Sequence, residues 1–476
     1  MREVYVISDL HIGGEPAKLN EERGFQINTH TQYLADFIEL LAVQTGKPIE
    51  LVINGDLVDF LAETPWAAFE HQIPNVITKL NNIIKREAHV FQALTKFLQS
   101  PKHRLVLLLG NHDIELSLPP IRTVLEKAIG ATPANFRFIF DGEAYTIGKE
   151  VLIEHGNRYD SWNSVDDNRL RVLREKLSRN EIPDSFYPPK GSVLVEKIMN
   201  PMKEKYRFVD MLKPETGAAI PILLALEPQI RSKIDNLLRI YVSDMIPDGL
   251  GLRTFPVSTK SGTLVEEDLV NKEMEKYFSP DELQEFLAAT DALPSDVVDK
   301  VNADGTVEKN RSFQLIRSLW QLLTAGSRSA LQKRLPALLN ALKSLQSPQT
   351  FDLTTETFPE YLQAATRLSN NGFKYILFGH THLARRIALP NGGTYFNSGT
   401  WADLMTFPQS ILDNPNKQHA LDQLETFIGE ITGSGLKKHI VFKPTCVYIA
   451  LNEQEQVTKI QLQTYNYQNK QLTVLA

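Results

Sequence analysis

Five short apolar runs, Val4 to Ile7, Ile49 to Ile53, Leu105 to Leu109, Val151 to Ile153 and Tyr375 to Phe378, each end in a polar cluster built on Asp, Asn or His. Runs of this length, rich in Val, Ile and Leu, are the pattern of buried strands. The clusters are Asp9-Leu10-His11, Gly55-Asp56-Leu57-Val58-Asp59, Gly110-Asn111-His112-Asp113, His155 and Gly379-His380-Thr381-His382. Helical patterns over Thr29 to Gln44 and Asn75 to Gln99 separate the first three runs, and this alternation predicts an α/β layered core with right-handed crossovers. In open α/β sheets ligands gather beyond the carboxyl ends of the strands, so residues scattered from 9 to 382 are expected at one rim.

After Pro119 the pattern predicts a shorter helix, Ile121 to Ile129, then a hairpin of Phe136 to Phe140 and Ala144 to Ile147 joined through Asp141-Gly142. From about residue 161 to 370 the texture turns helical, with apolar periodicity over Val193 to Leu212, Ile220 to Ile246, Glu282 to Leu287 and Phe313 to Leu345. Ser279-Pro280-Asp281-Glu282 has the composition of a helix start with a capping box. The expected organisation is a core formed by 1–160 and 371–476, interrupted by a helical insertion at 161–370. The insertion leaves after His155 and returns before Tyr375, so it is expected to cap the rim and select what enters. Within it, Val265 to Glu308 is acidic, whereas Lys309 to Lys343 carries seven cations and no acid. The plain reading of both is a solvated helix face. Its apolar stretches, Ala218 to Leu226 and Leu315 to Leu323, read as helix packing. The last pattern, Val441 to Leu451 with Val457 to Tyr465, predicts a β-hairpin.

A length of 476 residues argues for two structural units, and 42% apolar with 23% charged residues is the balance of a soluble globular protein. A net charge of -6 gives no general attraction for nucleic acid or an anionic membrane. The single cysteine, Cys446, excludes a disulfide framework or a thiolate metal site within one chain. Strand-like residues follow Met1 almost at once, without a secretory signal, and the longest apolar run, Gly217 to Leu226, is interrupted by Pro221. That run falls well short of the ~20 residues that cross a bilayer, so a cytoplasmic location and no transmembrane segment are expected.

Carboxylate, imidazole and amide groups without thiolate suit hard or borderline divalent ions such as Mn²⁺, Fe²⁺ or Zn²⁺. The ordered pattern D-x-H, G-D-x-x-D, G-N-H-D, H and G-H-x-H resembles the calcineurin-like metallophosphoesterase superfamily over roughly 1 to 160 and 371 to 402. The resemblance implies two packed β-sheets flanked by helices, here with a large, mainly helical insertion. It implies one metal held by Asp9, His11, Asp56 and His382, and a second by Asp56, Asn111, His155 and His380. The implied cofactor is a pair of divalent ions, manganese first, with iron and zinc as alternatives. A bridging carboxylate suits Asp56, since its two oxygens can hold cations about 3.5 to 4 Å apart.

In the family pattern His112 does not bind metal and would assist the reaction, with Asp113 orienting its ring and Asp59 orienting a ligand histidine. Arg158 is the first candidate for a phosphate clamp, with Asn157 and Arg385 beside it, and Arg386 could also reach a substrate; alternatively Arg158 pairs with Asp160 at the surface. Asn397-Ser398-Gly399-Thr400-Trp401 reads as a structural turn, and His30, His71, His89, His103, His419 and His439 as structural or surface residues. The implied activity is hydrolysis of a phosphomonoester, phosphodiester or pyrophosphate by a hydroxide shared between the two ions. A metal-dependent nuclease and a protein-binding scaffold are the alternatives. The expected partner is a phosphorylated small molecule or a lipid-nucleotide, with nucleic acid second. Gly-His-Thr-His followed by Arg is similar to the pyrophosphatases of lipid A biosynthesis, from which this chain departs in its larger insertion and in His112.

Overall fold

A computed structural model describes residues 2–19, 21, 23–44, 46–182, 185–212, 215–227, 299–301, 307–309, 318, 321–322, 331–345 and 351–476. The chain divides into two compact units. One comprises Met1–Leu212, Pro348–Thr406 and Ile431–Ala476; the other comprises Lys213–Ser347 and Phe407–Glu430.

The first unit is built on alternation. Strands β1 (Arg2–Ile7), β2 (Ile49–Asn54), β3 (Arg104–Leu108) and β4 (Phe136–Ile139) run parallel, in the order β1-β2-β3-β4. Helices α1 (Thr31–Ala42), α2 (Ile73–Arg86), α3 (Ala88–Leu98) and α4 (Pro119–Ile129) connect them. Successive side chains on a strand point to opposite faces. Tyr5, Ile7, Leu51, Ile53, Leu105 and Leu107 accordingly pack with these helices, whereas Val4, Val6, Val52, Val106 and Leu108 pack into a separate cluster. That second cluster is completed by a second sheet.

The second sheet contains β5 (Tyr145–Ile147) and β6 (Val151–Ile153). Beyond β7 (Asp299–Val301) and β8 (Val307–Lys309), a hairpin within the second unit, it continues with β9 (Tyr375–Phe378), β10 (Arg385–Ala388) and β11 (Thr394–Asn397), in the order β10-β11-β9-β6-β5. Tyr145, Ile147, Val151, Ile153, Leu377 and Phe396 meet the Val-rich face of the first sheet. On the outer face, Leu152, Ile376, Phe378 and Tyr395 pack with Tyr361, Ala364 and Ala365 of the helix Pro359–Asn370. The result is a helix–sheet–sheet–helix stack. A short pair, β12 (Leu404–Met405) with β13 (Ile440–Val441), precedes β14 (Thr445–Leu451), β15 (Val457–Asn466) and β16 (Gln471–Val474), which extend the first sheet past β1 to seven strands.

Several local patterns end differently from their sequence reading. The helical pattern over Asn75 to Gln99 is two helices, because Glu87 leaves the helix to accept hydrogen bonds from Gln26 and Thr31. The expected hairpin at Asp141-Gly142 is instead a crossing between sheets, with β4 bonded to β3 and β5 to β6. The C-terminal hairpin forms, but it starts at Thr445, after Pro444, while Ile440 and Val441 pair with β12. The helical pattern from Val193 stops at Lys203, and Phe208, Val209, Met211 and Leu212 are buried in the turns that follow.

In the second unit, Glu215–Leu226 packs against Leu331–Leu345, burying Ile222, Leu223 and Leu224 with Leu335, Leu338 and Leu342. The pattern Glu282 to Leu287, the Ser279 capping box, and most of the acidic and basic stretches lie outside the described residues. No helix among the described residues is long and apolar enough to cross a membrane.

Glu115, in the turn Ile114–Ser117, is buried and accepts a hydrogen bond from Glu70 N at 2.9 Å. Burial pushes its carboxyl up to about 7 from an ordinary 4.5, while the Lys79 ammonium pulls the other way. Between these values the unfolded chain has lost a proton that the folded one keeps, so this contribution is full below pH 4.5 and is lost as pH rises to about 7. The swing is on the order of 3 kcal/mol. Melting curves from pH 4.5 to 7.5 should show Glu115→Gln gaining on wild type as pH rises; a pH-independent difference would contradict the assignment.

Candidate metal centre

Parallel pairing places the ends of β1, β2 and β3 side by side, and hydrogen bonds then lace their loops together. Leu10 N and His11 N donate to Asp56 O, both at 2.9 Å, and Phe60 N donates to His112 O at 3.2 Å. In the second sheet β6 and β9 are also parallel, and Gly379 N donates to His155 O at 2.9 Å. Asn54 joins the two sheets: its Nδ2 donates to Glu154 O at 2.9 Å, and its carbonyl lies 2.8 Å from His155 Nδ1. A bond from His155 Nδ1 to that carbonyl leaves Nε2 as the lone-pair nitrogen.

The loops are forced into unusual backbone. Asp9, His11, Asp56, His380 and His382 have φ between 43 and 66°, five of the eight non-glycine residues described with positive φ. Such conformations cost on the order of 1–3 kcal/mol each and cluster where side chains are held for chemistry. Here they turn ligand-type side chains toward one another. The ligand atoms of Asp9, His11 and His382 lie within 4.8 Å of one another, as do those of Asp56, His155 and His380, and those of His11, Asp59 and His112. No histidine outside the five ordered motifs takes part in these clusters.

Asp56 belongs to one of them and lies beside His11, a member of the other two. Its Oδ2 is 3.2 Å from His155 Nε2 and 3.7 Å from His11 Nε2, and its Oδ1 accepts from His112 N at 2.8 Å. His11 Nε2 in turn is 3.0 Å from His382 Nε2, which lies 3.3 Å from Asp9 Oδ1. Burial pushes the Asp56 carboxyl up, but His155, His112 and His11 outweigh it and hold the group well below its usual range. Burial likewise opposes charge on His155, yet Asp56 and Asp9 raise it to about 9. The same field that favours protons here favours cations.

Asn111 Oδ1 is buried without a hydrogen-bond partner among the described residues, and Asp56 Oδ2 and His155 Nε2, 3.2 Å apart, are buried with no hydrogen-bond partner beyond each other. Buried polar atoms are nearly always satisfied, so a carboxylate oxygen, an amide oxygen and an imidazole nitrogen left this way fit a divalent cation. The donor set and its burial therefore suit the metals implied by the sequence.

The groups around the centre divide differently from expectation. Asp113 does not orient His112; it accepts from Gly110 N and Leu57 N, both at 2.7 Å, and so ties the second and third loops together. Asp59 faces both histidines, with Oδ1 3.2 Å from His112 Nδ1 and Oδ2 3.6 Å from His11 Nδ1, while Leu61 N and Ala62 N hold it. Asp160, which sequence reasoning paired only with Arg158, instead lies 3.2 Å from His380 Nε2. Nothing local in the sequence marks that contact, because it depends on two parallel strands meeting.

The expected substrate contacts have partners within the chain. Arg158 donates to Gly142 O and ion-pairs with Glu154 at 3.5 Å and Asp167 at 3.7 Å. Asn157 Nδ2 donates to Asn163 O at 3.0 Å. Arg385 is fully buried and donates to Asp352 O at 2.8 Å, since strand alternation turns it inward and leaves Arg386 exposed. That burial takes Arg385 out of reach of a substrate. The Asn397–Trp401 turn is structural: Thr400 Oγ1 donates to Asp9 O at 2.7 Å, and Trp401 Nε1 to Thr445 O at 3.0 Å.

Residues 3–212 match the family model described as calcineurin-like phosphoesterase. That match, together with the two-sheet core and the ordered motifs, supports the calcineurin-like metallophosphoesterase superfamily. No curated protein matches the chain. The matched segment contains Asp9, His11, Asp56, Asn111 and His155, whereas His380 and His382 lie beyond it, after β9, which pairs with β6. The family implies a phosphoric ester hydrolase that works with divalent metal.

Two glycines let the side chains of the centre crowd together. A Cβ on Gly110 would sit 2.0 Å from Asp56 Oδ1, and one on Gly55, at φ 84°, would sit 2.3 Å from His155 Nδ1. Gly55→Ala should cost about 1–3 kcal/mol and displace His155. Calorimetry and mass-spectrometric metal content test this: a lower melting temperature with reduced manganese is expected, and wild-type values for both would refute the packing argument.

Proposed function

We propose that the protein is a dinuclear-metal phosphohydrolase that cleaves a phosphomonoester, phosphodiester or pyrophosphate bond of a phosphorylated small molecule. The observation that carries this reading is the reach of one carboxylate, Asp56, to His155 on one side and His11 on the other. Asp9, His11, Asp56 and His382 would hold one ion, and Asp56, Asn111, His155 and His380 the other. When bound, such a pair supplies a water acidified to near neutrality and a positive centre for phosphoryl oxygens. Two carboxylates, Asp9 and Asp56, leave the loaded centre with positive charge, which favours an anionic substrate. Manganese is the first choice of metal, with iron and zinc compatible with the same donors.

The chain's own part in the reaction centres on His112. Its ring packs edge-on against His11 with 4.6 Å between ring centres, and Asp59 accepts from its Nδ1. Asp59 thus fixes the ring's orientation and stabilises the imidazolium. As the new P–O bond forms and the old one breaks, His112 would pass a proton to the departing oxygen. Asp9 is held for its role by His380 N, at 3.1 and 3.0 Å from its two oxygens, and by Ser8 Oγ.

His112→Ala should keep its manganese and lose about 10²–10⁴-fold in turnover of bis-p-nitrophenyl phosphate or p-nitrophenyl phosphate. Turnover equal to wild type would remove His112 from the reaction. Wild-type protein that binds metal and hydrolyses neither compound would favour a scaffold.

A further inference from the structure

We infer that Asp160 is the positioning residue for the second ion: it anchors His380 from behind so that the ring offers Nδ1 to the metal. The inference rests on the two-ion reading above and adds a residue outside the ordered motifs.

His380 has a buried ring whose Nε2 lies 3.2 Å from Asp160 Oδ2. Its backbone is fixed at φ 66°, with N donating to both oxygens of Asp9. Neutral imidazole binds a cation through its unprotonated nitrogen, and the other nitrogen's partner decides which one that is. A carboxylate accepting from Nε2–H therefore leaves the lone pair on Nδ1. Asp160 Oδ2 meets Nε2, so Nδ1 is the nitrogen left for the cluster that His380 shares with Asp56 and His155.

The carboxylate is held in position independently of His380. Asp160 N donates to Asn157 O at 3.1 Å, closing a turn right after ligand-bearing β6. Trp162 N donates to Oδ1 at 2.8 Å, and Asn163 Nδ2 to Oδ2 at 2.7 Å. Asn163 is itself boxed in: Gly191 N donates to Trp162 O at 2.8 Å, and a Cβ on Gly191 would sit 2.1 Å from Asn163 Oδ1. One loop thus carries a ligand, His155, and orients a second ligand, His380, that lies more than two hundred residues away in the chain.

The test is stepwise manganese loading of metal-free wild type and Asp160→Asn, followed by electron paramagnetic resonance and mass-spectrometric metal content. Asn keeps an acceptor for Trp162 N, so the turn should survive, and the melting temperature of the metal-free protein checks it. Wild type should reach two ions with a spin-coupled dimanganese signal. Asp160→Asn should keep one ion and bind the second about 10–100-fold more weakly, giving a mononuclear six-line signal at concentrations that couple the wild type. Two ions bound at wild-type affinity in the variant would overturn the inference. So would parallel loss of both ions with a lower metal-free melting temperature, which would mark Asp160 as a fold residue. A wild type that never exceeds one ion would instead bring down the two-ion reading, and this inference with it.

Discussion

A buried carboxylate faced by imidazoles from three directions governs this structure. Asp56 is removed from water, which by itself would neutralise it, and it stays charged because His155, His112 and His11 crowd around it. Those groups meet only if five loops turn inward together, and the left-handed backbone at Asp9, His11, Asp56, His380 and His382 is the conformational cost of that convergence. The bonds that offset it run between the loops: Leu10 and His11 to Asp56, Gly379 to His155, Thr400 to Asp9.

The two sheets matter because neither holds the centre alone. The first sheet brings Asp9, His11, Asp56, Asn111 and His112; the second brings His155, His380 and His382. Asn54, bonded to both Glu154 and His155, aligns the two rims, while the valine-rich faces behind them keep the sheets in contact. Orienting carboxylates then set the imidazoles: Asp59 for His11 and His112, Asp160 for His380. Ring orientation is thereby set before any substrate arrives, which is a condition for electrostatic stabilisation of a transition state.

Much of this was legible because strands buried on both faces must be continuously apolar, and the Asp, Asn and His residues stood where such runs stopped. Sequence reading failed where the outcome depended on which strand lies next to which. Phe136 to Phe140 and Ala144 to Ile147 look locally like a hairpin, and only the pairing of β3 with β4 and of β6 with β5 separates them. Nearness to His382 in the sequence points Arg385 toward a substrate, yet the two-residue period of β10 buries it against Glu356. Asp160 stands two residues from Arg158 and reads as its partner, but the parallel meeting of β6 and β9 puts it beside His380. Glu87 shows the same limit within helices, where a long-range carboxylate contact overrode an unbroken helical pattern.

The central claim is that Asp56 is shared by two cations, and anomalous diffraction at the manganese edge from crystals grown with manganese tests it most directly. The account predicts two peaks about 3.5 to 4 Å apart, each within coordination distance of an Asp56 oxygen, one toward His11 and the other toward His155. A single peak, or a pair that leaves Asp56 uncoordinated, would contradict it.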